Sequence, residues 1–328
     1  MPNEFKALRE AIDRARTVVL TTHLNPDGDA IGSEVALALA LRSAGKAVQI
    51  INHSETPPQY RFLQDLFPIT VAANAKTQAI ADAHLIVVLD ANQLSRIGSL
   101  EGPVRASRAV KVCIDHHPRP EPFADVTVID ESTAATGQII SAIIAEQFPS
   151  ALSAGVASAL YVAIMTDTGS FRFPKTDGGL FRLVASLVEA GADPVTLAER
   201  VYNSGSANRL RLLGKILETL QISHEDRVAS LVVTGSMFDE THTDETDTEN
   251  VINYALSIEK VIVALLFSEI PGFIKVSLRS KGDIPVYALA REFGGNGHTN
   301  AAGARIANGQ LQDVIDTVTA RARAYLPS

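Results

Sequence analysis

The chain has 328 residues, 46% of them hydrophobic and 20% charged, with a formal net charge of −8. That length suits two domains with ordinary packed cores, and the negative balance excludes the broad basic face of a long-duplex nucleic-acid binder. The single cysteine, Cys113, excludes an intrachain disulfide framework and a cysteine zinc cluster, and fits a reducing compartment.

Residues 4–16 read as an amphipathic helix without the apolar core of a signal peptide. No window approaches the roughly 18 apolar residues of a membrane span, so a soluble cytoplasmic protein is expected. Residues 17–22 form a first strand leading into His23, then Asn25-Pro26-Asp27-Gly28-Asp29. Asn-Pro and Asp-Gly force a turn there. A long helix follows through Ser43, with Gly45 as its stop. Residues 47–52 are a second strand, residues 84–89 a third ending at Asp90, and residues 110–114 a fourth ending in Asp115-His116-His117. A further strand is expected at 126–129, then a small-residue turn, 132–137, and a helix to Gln147. Helices dominate from Ala151 to Leu220, including an apolar run, 157–165, that leads to Asp167. Strands alternating with helices over the first 145 residues predict an α/β domain with a mainly parallel sheet.

Beyond Leu220 the pattern changes to a smaller α+β module. Strands are expected at 227–234, 261–268 and 272–279, the last two joined as a hairpin through Pro271-Gly272. Helices are expected at 251–259, 286–293 and 311–325. The predicted organisation is an α/β domain over 1–192, a helical connector over 193–220 and a smaller α+β domain over 221–328.

Four apolar segments each deposit acid or imidazole at one end, and in open parallel sheets ligands bind at the carboxyl ends of strands. His23, Asp27, Asp29, Asp90, His116 and Asp167 are too many ligands for one zinc ion. Carboxylates mixed with imidazoles suit Mn²⁺ or a related divalent ion, as a pair about 3.5–4 Å apart with one carboxylate bridging. Without cations so many packed carboxylates would repel. In the second module, the glycines of Gly294-Gly295-Asn296-Gly297 let backbone N–H groups approach an anion, and His298 adds a donor. Arg279 and Lys281, just after a strand, are candidate phosphate clamps.

These segments together resemble the DHH phosphoesterase family over nearly the whole chain. NPDGDAIGS is similar to its first motif, Val87–Asp90 to the second, Asp115-His116-His117 to the third and Thr166-Asp167-Thr168-Gly169 to the fourth. Gly294–His298 with Ala301-Ala302-Gly303 resembles its DHHA1 accessory domain, Asn296 standing where a third glycine is usual. The resemblance implies that His23, Asp27 and Asp90 hold one Mn²⁺, and Asp29, Asp90, His116 and Asp167 the other, Mg²⁺ or Co²⁺ being substitutes. It implies that His117 contacts phosphate or orients its neighbour, that Arg279 binds substrate, and that the active site lies in a cleft between the domains. The implied activity is hydrolysis of short RNA such as pApA, and of 3′-phosphoadenosine 5′-phosphate, with cyclic di-AMP as the alternative substrate. The implied partners are a short RNA or nucleotide, with a homodimer left open. A nucleotide-binding dehydrogenase is disfavoured, because no Gly-x-Gly-x-x-Gly follows the first strand. A non-catalytic nucleotide sensor is disfavoured because every ligand position is filled.

Overall fold

The computed structural model describes residues 2–73, 78–203, 205–297, 299–307 and 309–327. The chain divides into two compact units, residues 1–204 and 205–328.

The first unit begins with α1 (Pro2–Arg14), β1 (Thr17–Thr21), α2 (Gly28–Ser43), β2 (Ala47–Asn52) and β3 (Ile69–Val71). It continues through α3 (Gln78–Ala81), β4 (Leu85–Leu89), a 3₁₀ segment (Leu94–Leu100), α4 (Glu101–Ala106), β5 (Val110–Asp115) and β6 (Val126–Ile129). Helices α5 (Thr136–Gln147), α6 (Ala154–Asp167), α7 (Gly178–Glu189) and α8 (Pro194–Tyr202) complete it. The sheet runs β3-β2-β1-β4-β5-β6 with every pairing parallel. That order reverses direction between β1 and β4, and such a switch point opens a crevice at the carboxyl ends of the two strands.

Both faces of the sheet are covered, which is why its central strands read as unbroken apolar runs rather than alternating ones. Leu20, Val87 and Ile114 join the core formed with α2, α5 and α6, while Val19, Ile86 and Val88 face Ile80, Leu94, Ile97 and Val104. Helix α2 is buried on nearly every side. A Cβ at Gly32 would lie 2.4 Å from the Ala159 carbonyl oxygen, so glycine is what lets α2 lie against α6. Cys113 is a buried core residue whose thiol is pushed up by burial, and it takes no part in the site.

The second unit runs α9 (Ala207–Glu218), β7 (Gln221–Ser223), β8 (Val228–Val233), α10 (Gly235–Thr241), α11 (Ile252–Leu256), β9 (Val263–Ile270) and β10 (Phe273–Ser280). It ends with α12 (Val286–Glu292), β11 (Asn296–Gly297), β12 (Ala301–Ala307) and α13 (Leu311–Ala322). Its mixed sheet is ordered β11-β12-β10-β9-β8-β7. Strands β9 and β10 form the expected hairpin, with Gly272 at φ 91° in its turn. The segment 193–220, expected as a helical connector, contains α8, which lies in the first unit, and α9, which lies in the second. Strand β12 is a departure from expectation. Its sequence, Ala-Ala-Gly-Ala-Arg-Ile-Ala, has little intrinsic strand preference, and its seven-residue pairing with β10 overrides that. Among the described residues no helix is long and apolar enough to cross a membrane.

Candidate active site

The six candidate ligands of the first unit converge at the switch point. Strand β1 ends two residues before His23, whose Nδ1–H donates to the Leu24 carbonyl at 2.8 Å and so turns Nε2 towards Asp90, 3.3 Å from Oδ2. Asp27 caps α2, its Oδ1 accepting the N–H groups of Asp29 and Ala30 at 3.0 and 3.1 Å. Its carboxylate groups with His23 and Asp90, their ligand atoms all within 4.8 Å of one another.

Asp29, one residue into α2, is buried and grouped instead with His116 and Asp167. Its oxygens accept N–H groups at the start of α5, from Thr136 at 2.6 Å and Gly137 at 2.9 Å, and the Ser33 hydroxyl at 3.1 Å. Helix N-termini favour such an anion. Gly137 is required there, since a Cβ would meet that of Ala163 at 2.7 Å.

Asp90 stands between the two groups. Its Oδ2 faces His23, while Oδ1 lies 3.7 Å from His116 Nε2 and accepts the Thr136 hydroxyl at 2.9 Å. It holds a left-handed φ of 54°, a conformation that costs energy and that aspartate tolerates better than most residues. His116 Nε2 also lies 3.3 Å from Asp167 Oδ2, on the last residue of α6, and 4.0 Å from Asp29 Oδ2.

Asp115 and His117 group with Asp90 and His116 at the same centre, His117 Nδ1 lying 3.6 Å from Asp90 Oδ1. The buried Asp115 accepts at one oxygen from the backbone N–H of His116 and of His117, and from His117 Nδ1 at 2.6 Å. That carboxylate fixes the imidazole tautomer with its proton on Nδ1. Asn92 braces the same turn by donating to the carbonyls of His117 and Pro118 at 2.8 and 3.1 Å.

The charges in this cluster are out of balance. Burial pushes the Asp29 carboxyl well up, and the neighbouring carboxylates of Asp90, Asp167 and Asp27 push it further. Burial works against the ionised Asp90, yet the hydrogen bond from His23 and the charges of three imidazoles bring it down. Burial opposes a charged His23, but Asp90 and Asp27 outweigh it and the net shift is upward. For His116 burial wins and the shift is downward. Buried carboxylates pressed together and met by imidazole nitrogens, with no thiolate, are the donor set of a hard divalent cation. The residues present therefore fit a metal centre.

Thr136, Gly137, Asn92 and Lys175 were not singled out from the sequence. The Lys175 ammonium holds the carbonyls of Glu131 and Thr133, tying down the turn before α5. The small-residue turn at 132–137 was legible as a turn. That it delivers a helix N-terminus to Asp29, more than 100 residues earlier, is a tertiary fact.

In the second unit the candidate residues separate. Arg279 lies near the end of β10, opposite Ala301 of β12, with Ser277 opposite Gly303, so small side chains flank the guanidinium on its strand pair. Its Nη1 donates to the Leu278 carbonyl at 3.2 Å. Lys281 is committed elsewhere, its ammonium donating to the carbonyls of Ile258 and Glu259 at 2.7 and 3.3 Å. The amides of Gly294 and Gly295 close α12 by donating to the Arg291 and Ala290 carbonyls. Asn296 and Gly297 pair with Gly303 and Ala302 as β11. His298 lies outside the described residues.

A switch-point cluster of acids and imidazoles on a doubly wound sheet, with a second mixed-sheet unit, defines a hydrolase of the metal-dependent phosphoesterase class. Residues 17–164 match the N-terminal domain of the DHH family and residues 226–324 match the DHHA1 domain. The chain belongs to the DHH phosphoesterase family. Among curated relatives, it is 29% identical over 309 residues to the bifunctional oligoribonuclease and PAP phosphatase NrnA of Thermus thermophilus, covering 94% of this chain and 90% of that one. It is 26% identical over 322 residues to the cyclic-di-AMP phosphodiesterase GdpP of Geobacillus thermodenitrificans, covering 94% of this chain but 46% of that longer protein. The crystal structure of an exopolyphosphatase-related protein from Bacteroides fragilis superposes with a TM-score of 0.93 at 29% identity, covering 99% of this chain and 96% of that one.

Proposed function

We propose that this chain hydrolyses short oligoribonucleotides such as pApA to mononucleotides, and 3′-phosphoadenosine 5′-phosphate to AMP, at a two-metal centre. The observation that carries the reading is the division of Asp90, one oxygen towards His23 and the other towards His116. In this reading His23, Asp27 and Asp90 hold one ion, and Asp29, Asp90, His116 and Asp167 hold the other. Carboxylates with imidazoles suit Mn²⁺, with Mg²⁺ or Co²⁺ as substitutes. Bound there, the ions supply charge that offsets the phosphoryl oxygens and the acidity that makes water a nucleophile near neutral pH.

The chain's own residues do the rest. Thr136 and the start of α5 hold Asp90 and Asp29 in place for that role. His117, its Nδ1 proton held by Asp115, offers Nε2 for exchanging a proton with the phosphate or the leaving group. Arg279 binds a substrate phosphate through a planar fork of donors that lysine lacks. The negative net charge favours a short substrate over a long duplex. The names of the relatives support the same substrate class, and the Geobacillus protein supports cyclic di-AMP as the second reading.

The test is hydrolysis of pApA, 3′-phosphoadenosine 5′-phosphate and cyclic di-AMP side by side, with Mn²⁺ and with chelator. Metal-dependent release of AMP from the first two is expected. Faster cleavage of the cyclic compound would move the chain to the second reading, and turnover of none of the three would overturn both.

A further inference from the structure

Four carboxylates, Asp27, Asp29, Asp90 and Asp167, balance the formal charge of two divalent ions, so a cationic side chain beside the centre would add to what the ions offer a phosphate. Two cations act on the imidazoles of the cluster. Lys175, which acts on His116, is committed to backbone carbonyls. Arg96, which acts on His23, is not. Among the described residues its half-buried side chain makes no hydrogen bond or ion pair.

Its backbone is pinned. Arg96 lies in the 3₁₀ segment Leu94–Leu100, whose Leu94 and Ile97 are buried in the core. The Arg96 carbonyl accepts the Leu24 N–H at 2.7 Å, which pins this segment to the residue directly after His23. Gly98, at φ 62°, lets the segment lie against Leu24 and His53, since a Cβ there would meet them at 2.5 and 2.8 Å. His53 fastens the far side through Ser99, at 2.7 and 3.0 Å. A half-buried guanidinium has up to five donors to satisfy, and leaving them unmet is costly. Arg119 also lies near the cluster in sequence, but it is exposed, where a charge is screened and worth less.

From this placement we propose that Arg96 is a substrate-binding residue, gripping non-bridging oxygens of the scissile phosphate from the first unit. The assignment rests on the phosphoesterase reading above, and it adds a phosphate contact independent of Arg279. Because the fork grips phosphate without touching metal, its loss weakens nucleotide binding and leaves metal binding alone.

The experiment compares wild type with Arg96→Gln and Arg96→Lys in three readouts: Mn²⁺ titration, AMP binding to the Mn²⁺-loaded protein, and KM with kcat on 3′-phosphoadenosine 5′-phosphate. Arg96→Gln should raise KM and weaken AMP binding on the order of 10–100-fold, as loss of a charge-assisted hydrogen bond does. Mn²⁺ affinity should stay unchanged, and Arg96→Lys should recover part of the loss. Unchanged KM and AMP binding would overturn the proposal. A parallel fall in Mn²⁺ affinity would also overturn it, by making Arg96 a prop of the metal loop. If wild type turns over none of the substrates, the functional reading fails by itself, and AMP binding alone then decides for or against Arg96.

Discussion

The acidic cluster of the first unit and the glycine-rich turn of the second are both conspicuous in the sequence, and the fold uses them in different ways. In the cluster the motif residues meet polar partners from other elements: Asp29 meets the start of α5, Asp90 meets His23 and Thr136, and His116 meets Asp167. In the turn, the amides of Gly294 and Gly295 are used to close α12, and a Cβ at Gly295 or Gly297 would lie 2.2 or 2.4 Å from a backbone carbonyl oxygen. Acids and imidazoles with strand ends before them have few structural uses, so their convergence points to chemistry. Glycines serve close backbone packing as readily as ligand approach: packing requires them at Gly295 and Gly297, while Gly294, at φ 73°, has open space where a Cβ would stand.

Asp90→Asn attacks the cluster at its centre and carries the largest expected effect. Asparagine tolerates the left-handed φ of 54° and can still accept from Thr136, so a cooperative thermal transition should persist in chelator. Turnover should fall on the order of 10³-fold or more, since a charge shared between two ions is lost. The ability of Mn²⁺ to raise Tm should fall with it. Retained metal-dependent turnover would separate Asp90 from the metals. Thr136→Val is the milder version. Removing one hydroxyl contact should weaken Mn²⁺ binding by roughly 10–100-fold in a titration, with Thr136→Ser restoring it. Equal affinities for the two variants would reduce Thr136 to a helix-start residue.

The same contrast explains what was legible in advance. Apolar runs ending in acid or imidazole made β1, β4, β5 and the helix before Asp167 readable, because in a parallel sheet both the burial and the ligand position follow from strand direction. The six cluster residues were therefore readable too. Strand β12 was not, because Ala301–Ala307 lacks β-branched residues except Ile306 and forms a strand only through its register with β10. Thr136 and Asn92 were not, because a threonine opening a helix and an asparagine after a strand have routine local uses. Only the fold brings Thr136 to Asp90, 46 residues away. Lys281 is a candidate clamp because it follows a strand, and what its local sequence does not show is that its ammonium folds back onto the carbonyls of Ile258 and Glu259.

That last difference can be tested in one pair of variants. Arg279→Ala should raise KM for 3′-phosphoadenosine 5′-phosphate about tenfold or more with little change in Mn²⁺ affinity. Lys281→Ala should leave KM near wild type and lower Tm, because two carbonyls after α11 lose their donor. If Lys281→Ala instead raised KM as much as Arg279→Ala, the ammonium would be reaching substrate in solution.

The smallest expected effect lies behind the cluster, in the buried carboxyl of Glu34. Burial pushes it from an ordinary 4.5 to about 8, against the hydrogen bond donated by Asn52 at 2.8 Å, which favours the charged form. Asn52 accepts in turn from the Thr22 N–H, next to His23, so Glu34 and Asn52 tie α2 to the strand end that carries the first ligand. A raised folded-state value means that the folded chain keeps a proton the unfolded chain has released between pH 4.5 and 8. The stability this supplies is complete below about pH 4.5 and is lost as pH rises through about 8. Glu34→Gln keeps the shape and removes the titration. In chelator, the Tm of the variant minus that of wild type should be near zero at pH 5 and positive by a few degrees, to order of magnitude, at pH 8.5. A difference that stays constant across that range would mean that burial does not hold the Glu34 carboxyl in its protonated form.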